Sequence, residues 1–321
     1  MELRDPAQVH VTVFRDEVRD ALPAREGGLL VDLTLGLGGH SEALLARGPE
    51  SLRVIGFDRD PEALARASAR LSGFGDRFEA HESPFSQFAR YLDGRKVDGI
   101  CADLGVSSLQ LDDPARGMSF RGEGPLDMRM GRDTDETAWS LVRRLRENEL
   151  ADVIYQYGDE RASRPIARTI KRFVTEGRMD STRDLADAVY SVLGRPRPMK
   201  LDPATRTFQA LRIAVNDELG EIERMLAATA EALKPGGVLA VIAFHSLEDR
   251  IVKHFLRGEG RFKVVTKKPL EPSDAACREN PRARSAKLRI ARRVDDAAFD
   301  GALDDDEDAA LDDDRDDGAS P

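Results

Sequence analysis

Cysteine and long apolar runs are what this chain has least of. Its two cysteines, Cys101 and Cys277, lie far apart in 321 residues and offer no metal-ligand spacing. Cys101 stands inside an apolar run and reads as a small buried residue. No apolar stretch approaches the length of a membrane span. The opening residues Met1 to Pro6 carry no apolar signal-peptide core, and a cytoplasmic protein is the expectation. Positive charge is also short overall. The net charge is −10, which argues against nucleic acid until its distribution is considered. From Asp295 to Pro321 there are 13 acids and one arginine. The rest of the chain is therefore slightly positive, and Arg261 to Arg293 alone holds 11 Lys/Arg against 3 acids. Such a cluster suits a phosphate backbone, although a solvated surface would carry one too. The acidic tail is poor in apolar residues and is expected to be disordered.

What is there in strength is a strand–turn–helix pattern. The apolar run Leu29-Leu30-Val31 ends in Asp32. Gly36-Leu37-Gly38-Gly39-His40-Ser41 follows, and helix-forming sequence resumes at Glu42. Glycine lets the backbone turn with positive φ and lets a ligand approach closely. The N–H groups at the new helix start can face a polar ligand. A second run, Leu52 to Phe57, ends in Asp58, 22 residues after Gly36. An acid there is placed to bind ribose hydroxyls. The dinucleotide fingerprint is incomplete, because Ser41 stands where its third glycine belongs. Asp32 would repel a pyrophosphate but suits a cationic ligand such as the ammonium or sulfonium of S-adenosylmethionine. The plainer reading of Asp32 is a cap on the turn.

The alternation continues. Asp60-Pro61 opens a helix, Arg77 to Ala80 reads as a third strand, and Val97 to Ala102 as a fourth that ends at Asp103. Strands alternating with helices predict an α/β fold with a doubly wound, mostly parallel sheet. The pattern then breaks, and no convincing strand appears from residue 112 to 216. Helical segments fill this stretch. In one of them Arg161, Arg164, Arg168, Lys171 and Arg172 are expected to share a face. Sheet pattern returns with Val238 to Phe244. Two late strands follow at Phe262–Val265 and Lys287–Ala291, both read as antiparallel. The expected division is a cofactor-binding domain (1–111 and 217–294), an inserted helical substrate domain (112–216) and the acidic tail (295–321). The insertion would overhang the carboxyl ends of the strands, where ligands bind in such sheets.

The glycine loop with His40-Ser41 resembles that of the bacterial RsmH/MraW methyltransferases. Further blocks resemble the family in order: Asp103 to Asp112, Gly124 to Met130, Thr205 to Asn216, Phe244 to Arg250 and Asn280 to Arg289. The resemblance runs from about residue 10 to about residue 293. It implies a class I, Rossmann-like methyltransferase that uses S-adenosylmethionine to methylate N4 of a cytidine in 16S ribosomal RNA of the small subunit. By the same resemblance Gly38, Gly39 and His40 line the methionine end of the cofactor. Asp58 holds the ribose, Phe85 packs near the adenine, and Asp103 and Gln110 complete the pocket. A homodimer is implied by the resemblance alone.

The sulfonium is already a reactive methyl donor, so alignment is the main requirement. The cytosine amine is the difficulty, because its lone pair is delocalised into the ring. An acceptor for its N–H would help, and Asp103 is the first candidate. Related amino-methyltransferases have an acid, prolines and an aromatic at this point, whereas this chain has Asp103-Leu104-Gly105-Val106. His245 is a second candidate, with a structural histidine held by Ser246 or Glu248 as the alternative. The target base must be exposed or flipped out. Competing readings are a dehydrogenase, a non-enzymatic RNA binder, and a methyltransferase of the same fold acting on another RNA or a small molecule.

Overall fold

The computed structural model describes residues 12–198 and 201–295. The acidic tail, Asp295 excepted, lies outside the described residues. Seven strands form one sheet: β1 (Gly28–Asp32), β2 (Leu52–Asp58), β3 (Phe78–Glu82), β4 (Val97–Asp103), β5 (Leu233–Ala243), β6 (Phe262–Val264) and β7 (Lys287–Arg293). Their order is β3-β2-β1-β4-β5-β7-β6. The first five are mutually parallel. β7 is antiparallel to both its neighbours, β5 and β6. Both late strands therefore pair antiparallel, as the sequence leads one to expect, and β7 is the one that runs against the rest.

Helices flank the sheet. On the amino-terminal side of the insertion come α1 (Arg15–Ala21), α2 (Gly39–Arg47), α3 (Pro61–Leu71) and the short α4 (Ser108–Asp112). Asp60 caps α3 by accepting the Glu62 N–H at 3.1 Å, and Pro61 takes the first helical position. Ala63, Ala67 and Leu71, spaced by four, then bury one stripe of that helix. Next come α5 (Ala138–Arg144), α6 (Glu147–Gly158), α7 (Ser163–Thr175), α8 (Thr182–Leu193) and α9 (Thr205–Asn216), all between β4 and β5. They surround a core of their own that includes Leu150, Ile154, Ile166, Ile170, Leu185 and Leu211. The remainder are α10 (Glu218–Ala232), α11 (Ser246–Gly258) and α12 (Asp274–Glu279).

Alternation along the strands divides the sheet core in two. Val31, Ile55, Ile100 and Val241 face α10 and α11 through Ile222, Met225, Val252 and Leu256. Leu30, Val54, Cys101, Ala240 and Ile242 face α1, α2 and α3 through Val18, Leu44, Ala67 and Leu71. Successive side chains point to opposite faces, so Asp32, Asp58 and Asp103 continue the rows of Leu30, Val54 and Cys101. The three carboxylates therefore share the α1–α3 face of the sheet, at the carboxyl ends of three adjacent strands.

The basic helix is less uniform than its sequence implies. α7 begins at Ser163, which leaves Arg161 outside it. Lys171 turns inward and donates to the carbonyls of Val142, Arg143 and Leu145 at 2.8–3.1 Å, satisfying the open carboxyl end of α5. Arg164, Arg168 and Arg172 remain as the exposed row.

Candidate functional site

The glycine loop joins β1 to α2. Gly36 and Gly38 have φ of 52° and 78°, values that suit glycine. Gly39 is needed for a different reason. A Cβ there would lie 1.9 Å from Thr12 Oγ1.

Asp32 is buried. Its Oδ2 accepts from Ser41 Oγ at 2.7 Å and its Oδ1 from the Thr34 N–H at 3.3 Å. Burial pushes its carboxyl upward, while the nearby His40 charge and the Ser41 and Thr34 hydrogen bonds pull it back. His40 is also buried, with Nε2 3.6 Å from Asp103 Oδ2. Among the described residues neither ring nitrogen has a hydrogen-bond partner, and Asp103 Oδ1 has none either. Burial works against the imidazolium more than any other single influence, yet Asp103 and Asp32 together raise His40 above its ordinary value. Asp103 is steadied through its own backbone N–H, which donates to Thr34 Oγ1 at 2.5 Å.

Asp58 closes the row. It accepts the Gly36 N–H at 2.8 Å and the Asp60 N–H at 2.9 Å, one on each oxygen. Burial raises its carboxyl to about 6, against the pull of those two donors. Phe85 lies just past β3, partly buried against the α10–α11 side of the core.

Gln110 is placed differently from the other expected residues. Its Nε2 donates to Asp60 Oδ2 at 3.0 Å and to the Met130 carbonyl at 3.2 Å. Its Oε1 receives the Ser107 N–H as part of the α4 capping box. Arg116 joins the same acid at 2.7 Å. Asn216 accepts the Met130 N–H and donates to the Met128 carbonyl. Gln110 and Arg116 thus tie the loop from Asp113 to Asp133 to Asp60 just past β2, and Asn216 ties it to the end of α9. Sequence reasoning missed Asp60 as the hub. Its cap position was legible, but its second set of partners was not.

His245 caps α11. Its Nδ1 receives the Glu248 N–H at 3.4 Å, and Glu248 Oε2 accepts from the Phe244 and His245 N–H groups at 2.7 and 3.2 Å. Glu248 is buried, which works against its ionisation, but His245, the Phe244 N–H and Arg212 hold it below its usual range. Arg212 makes a two-pronged pair with Glu218 at 2.7 and 2.8 Å. Glu218, His245 and Glu248 approach one another closely enough to bind a cation. Arg212 already supplies positive charge there, and no metal is needed to explain the cluster.

The basic stretch 261–293 also divides. Arg289 is buried in a two-pronged pair with Asp249 at 2.7 and 3.0 Å, and Arg293 is buried with its Nε on the Ala230 carbonyl. Arg261 is paired with Glu259 and Glu231. Lys263, Lys267, Lys268, Arg278 and Arg284 stay exposed.

The sequence pattern of the MraW methylase family matches residues 7–294. The chain belongs to this family. Ribosomal RNA small subunit methyltransferase H of Sorangium cellulosum is 53% identical over 294 residues, which is 91% of this chain and 93% of that one. The protein of the same name from Synechococcus elongatus is 50% identical over 287 residues, covering 89% and 95%. That from Nitrobacter winogradskyi is 48% identical over 311 residues, covering 91% and 92%. The family match spans the glycine loop, the three strand-end acids and the helices between β4 and β5.

Proposed function

We propose that this methylase-family member transfers a methyl group from S-adenosylmethionine to the exocyclic N4 of a cytidine in 16S ribosomal RNA, within the small ribosomal subunit. One observation supports the reading above others. Asp58, Asp32 and Asp103 stand side by side on one face of the sheet, and the buried His40, 3.6 Å from Asp103, has no hydrogen-bond partner on either ring nitrogen among the described residues. Buried polar atoms without partners are rare in folded proteins and suit a polar ligand. The names carried by the relatives supply the RNA side of the reading.

The residues fit that cofactor. Each oxygen of Asp58 takes one backbone N–H and keeps a lone pair for a ribose hydroxyl. Gly38 and Gly39 admit the methionine end, with His40 at its side. Asp32 and Asp103 place negative charge where a sulfonium and an ammonium would lie. Phe85 is assigned to the adenine. Gln110 acts through Asp60, holding the wall of the pocket. Bound there, S-adenosylmethionine supplies an activated methyl group. The protein's part is to align the acceptor nitrogen with it. Asp103 Oδ1 accepts a hydrogen bond from the amine, which frees the nitrogen lone pair. The same atom is placed to hold the proton that leaves.

The division at 112–216 assigns α5 to α9 to substrate, with exposed Arg164, Arg168 and Arg172 meeting RNA phosphates. Among the described residues no helix is long and apolar enough to cross a membrane. A cytoplasmic location and a homodimer belong to the same reading. The test is methyl transfer from radiolabelled S-adenosylmethionine to small subunits from cells lacking this protein, with nucleoside analysis. Label in N4-methylcytidine supports the reading. Label absent there, with cofactor binding intact, overturns the substrate.

A further inference from the structure

We propose that Phe244 is the wall on which the acceptor base stacks. The inference rests on the functional reading above and extends it to the base.

β5 lies directly beside β4, with Asp103 opposite Ile242 and the Leu104 N–H on the Ile242 carbonyl at 2.9 Å. Phe244 follows Ile242 by two residues, so its side chain falls on the face that carries Asp103, Asp32 and Asp58. It packs there as a partly buried residue at the edge of the core. Across the sheet the order on this face is Asp58, Asp32, Asp103, Phe244. A cofactor whose ribose is on Asp58 and whose sulfur end is near Asp103 leaves the next position, over β5, for the methyl acceptor.

The segment after β4, Asp103-Leu104-Gly105-Val106, has no aromatic side chain. Gly105 has φ of +98°, and a Cβ there would come within 3.5 Å of the Phe244 ring. The ring therefore flanks a backbone stretch that offers no side chain of its own at that point. Phe244 supplies from the neighbouring strand the flat apolar surface that the Asp103 segment lacks. Its backbone is fixed, because Glu248 Oε2 holds both the Phe244 and His245 N–H groups. Basic residues lie alongside. Lys287 is opposite Ala243 in the β5–β7 ladder, and exposed Arg284 sits in the turn that leads into β7. A base stacked on Phe244 would have cations near its flanking phosphates and Asp103 Oδ1 beside its amine.

The test compares Phe244→Leu, which keeps apolar bulk without a π face, with Phe244→Tyr, which keeps the ring. Binding of S-adenosylhomocysteine is measured by calorimetry, and methyl transfer to unmodified small subunits is measured at varied subunit concentration. Stacking of one base predicts that Phe244→Leu lowers kcat/KM about five- to hundredfold. Its S-adenosylhomocysteine affinity should stay within about twofold of wild type, and Phe244→Tyr should retain most activity. Wild-type turnover in Phe244→Leu overturns the proposal, since the ring is then core packing only. Equal losses of affinity and turnover also overturn it, as does a Phe244→Tyr enzyme no better than Phe244→Leu. If the wild-type chain itself makes no N4-methylcytidine, the functional reading fails and this one with it.

Discussion

Asp58 provides a direct test of the cofactor assignment, through pH. Burial raises its carboxyl to about 6, and only the ionised form offers the acceptors that a ribose needs. The sign follows from that. Affinity is present above this value and is lost as pH falls through it. At pH 5 about one-tenth of the free sites carry the carboxylate, so affinity should drop about tenfold from its value at pH 7.5, roughly 1.4 kcal/mol. A carboxyl with an ordinary value near 3.9 would change affinity by only about a tenth over that range. His40, also raised, gains charge as pH falls and works in the same direction. The comparison with Asp58→Asn separates the two, since the variant keeps His40 and loses the carboxylate. Calorimetry of S-adenosylhomocysteine at several pH values, in two buffers of different ionisation enthalpy, reads both affinity and protons released. Wild-type affinity constant within about twofold from pH 7.5 to 5 would refute the reasoning. So would a wild-type slope matched by Asp58→Asn.

Asp103→Asn should lower single-turnover methyl transfer about a hundredfold or more beyond any loss of cofactor affinity, if its Oδ1 serves the acceptor. A parallel loss of affinity would move Asp103 to the cofactor alone. Arg289→Ala leaves the buried Asp249 carboxylate without its partner and should cost about 3–5 kcal/mol in thermal unfolding. Arg282→Ala removes an exposed pair with Asp112 and should cost under about 1 kcal/mol. Equal melting temperatures for those two variants would contradict the division of the basic stretch. Replacing Lys267 and Lys268 by alanine should weaken binding to small subunits and reduce the slope of log affinity on log salt by about one for each phosphate no longer neutralised. Deleting residues 295–321 should leave turnover within a few-fold of the full chain. A larger loss in the methyl-transfer assay would give the tail a direct part.

The strand ends were legible because each apolar run stops at an acid, but the shared face of Asp32, Asp58 and Asp103 needs the register between strands and the packing on either side of the sheet. The α3 cap at Asp60 was legible for a similar local reason. The pairing of His40 with Asp103 was not, since it joins residues 63 apart through the β1–β4 ladder. Composition marked Arg261 to Arg293 as one basic patch, but burial is set by tertiary packing. Arg289 and Arg293 turn into the core, while Lys267 and Lys268 stay in solvent. Lys171 shows the same limit in the helices. Its spacing puts it with the exposed arginines, and the open end of α5 draws it inward. The antiparallel pairing of the two late strands was legible, but the place of β7 between β5 and β6 was not. His245 matches its structural alternative in being held by Glu248.

The reversed strand has a consequence for how the chain is made. β7 lies between β5 and β6, although both are synthesised before it. Until residues 287–293 have left the ribosome, β5 has an open edge along its whole inner length, and the short β6 has no sheet to join. The edge left waiting, Val238 to Ala243, is buried in the finished protein and carries no charge to discourage pairing with another chain. Sheet closure therefore waits for the last strand in chain order, after the six others have been made. A nascent or truncated chain that stops short of Lys287 should be a client for chaperones.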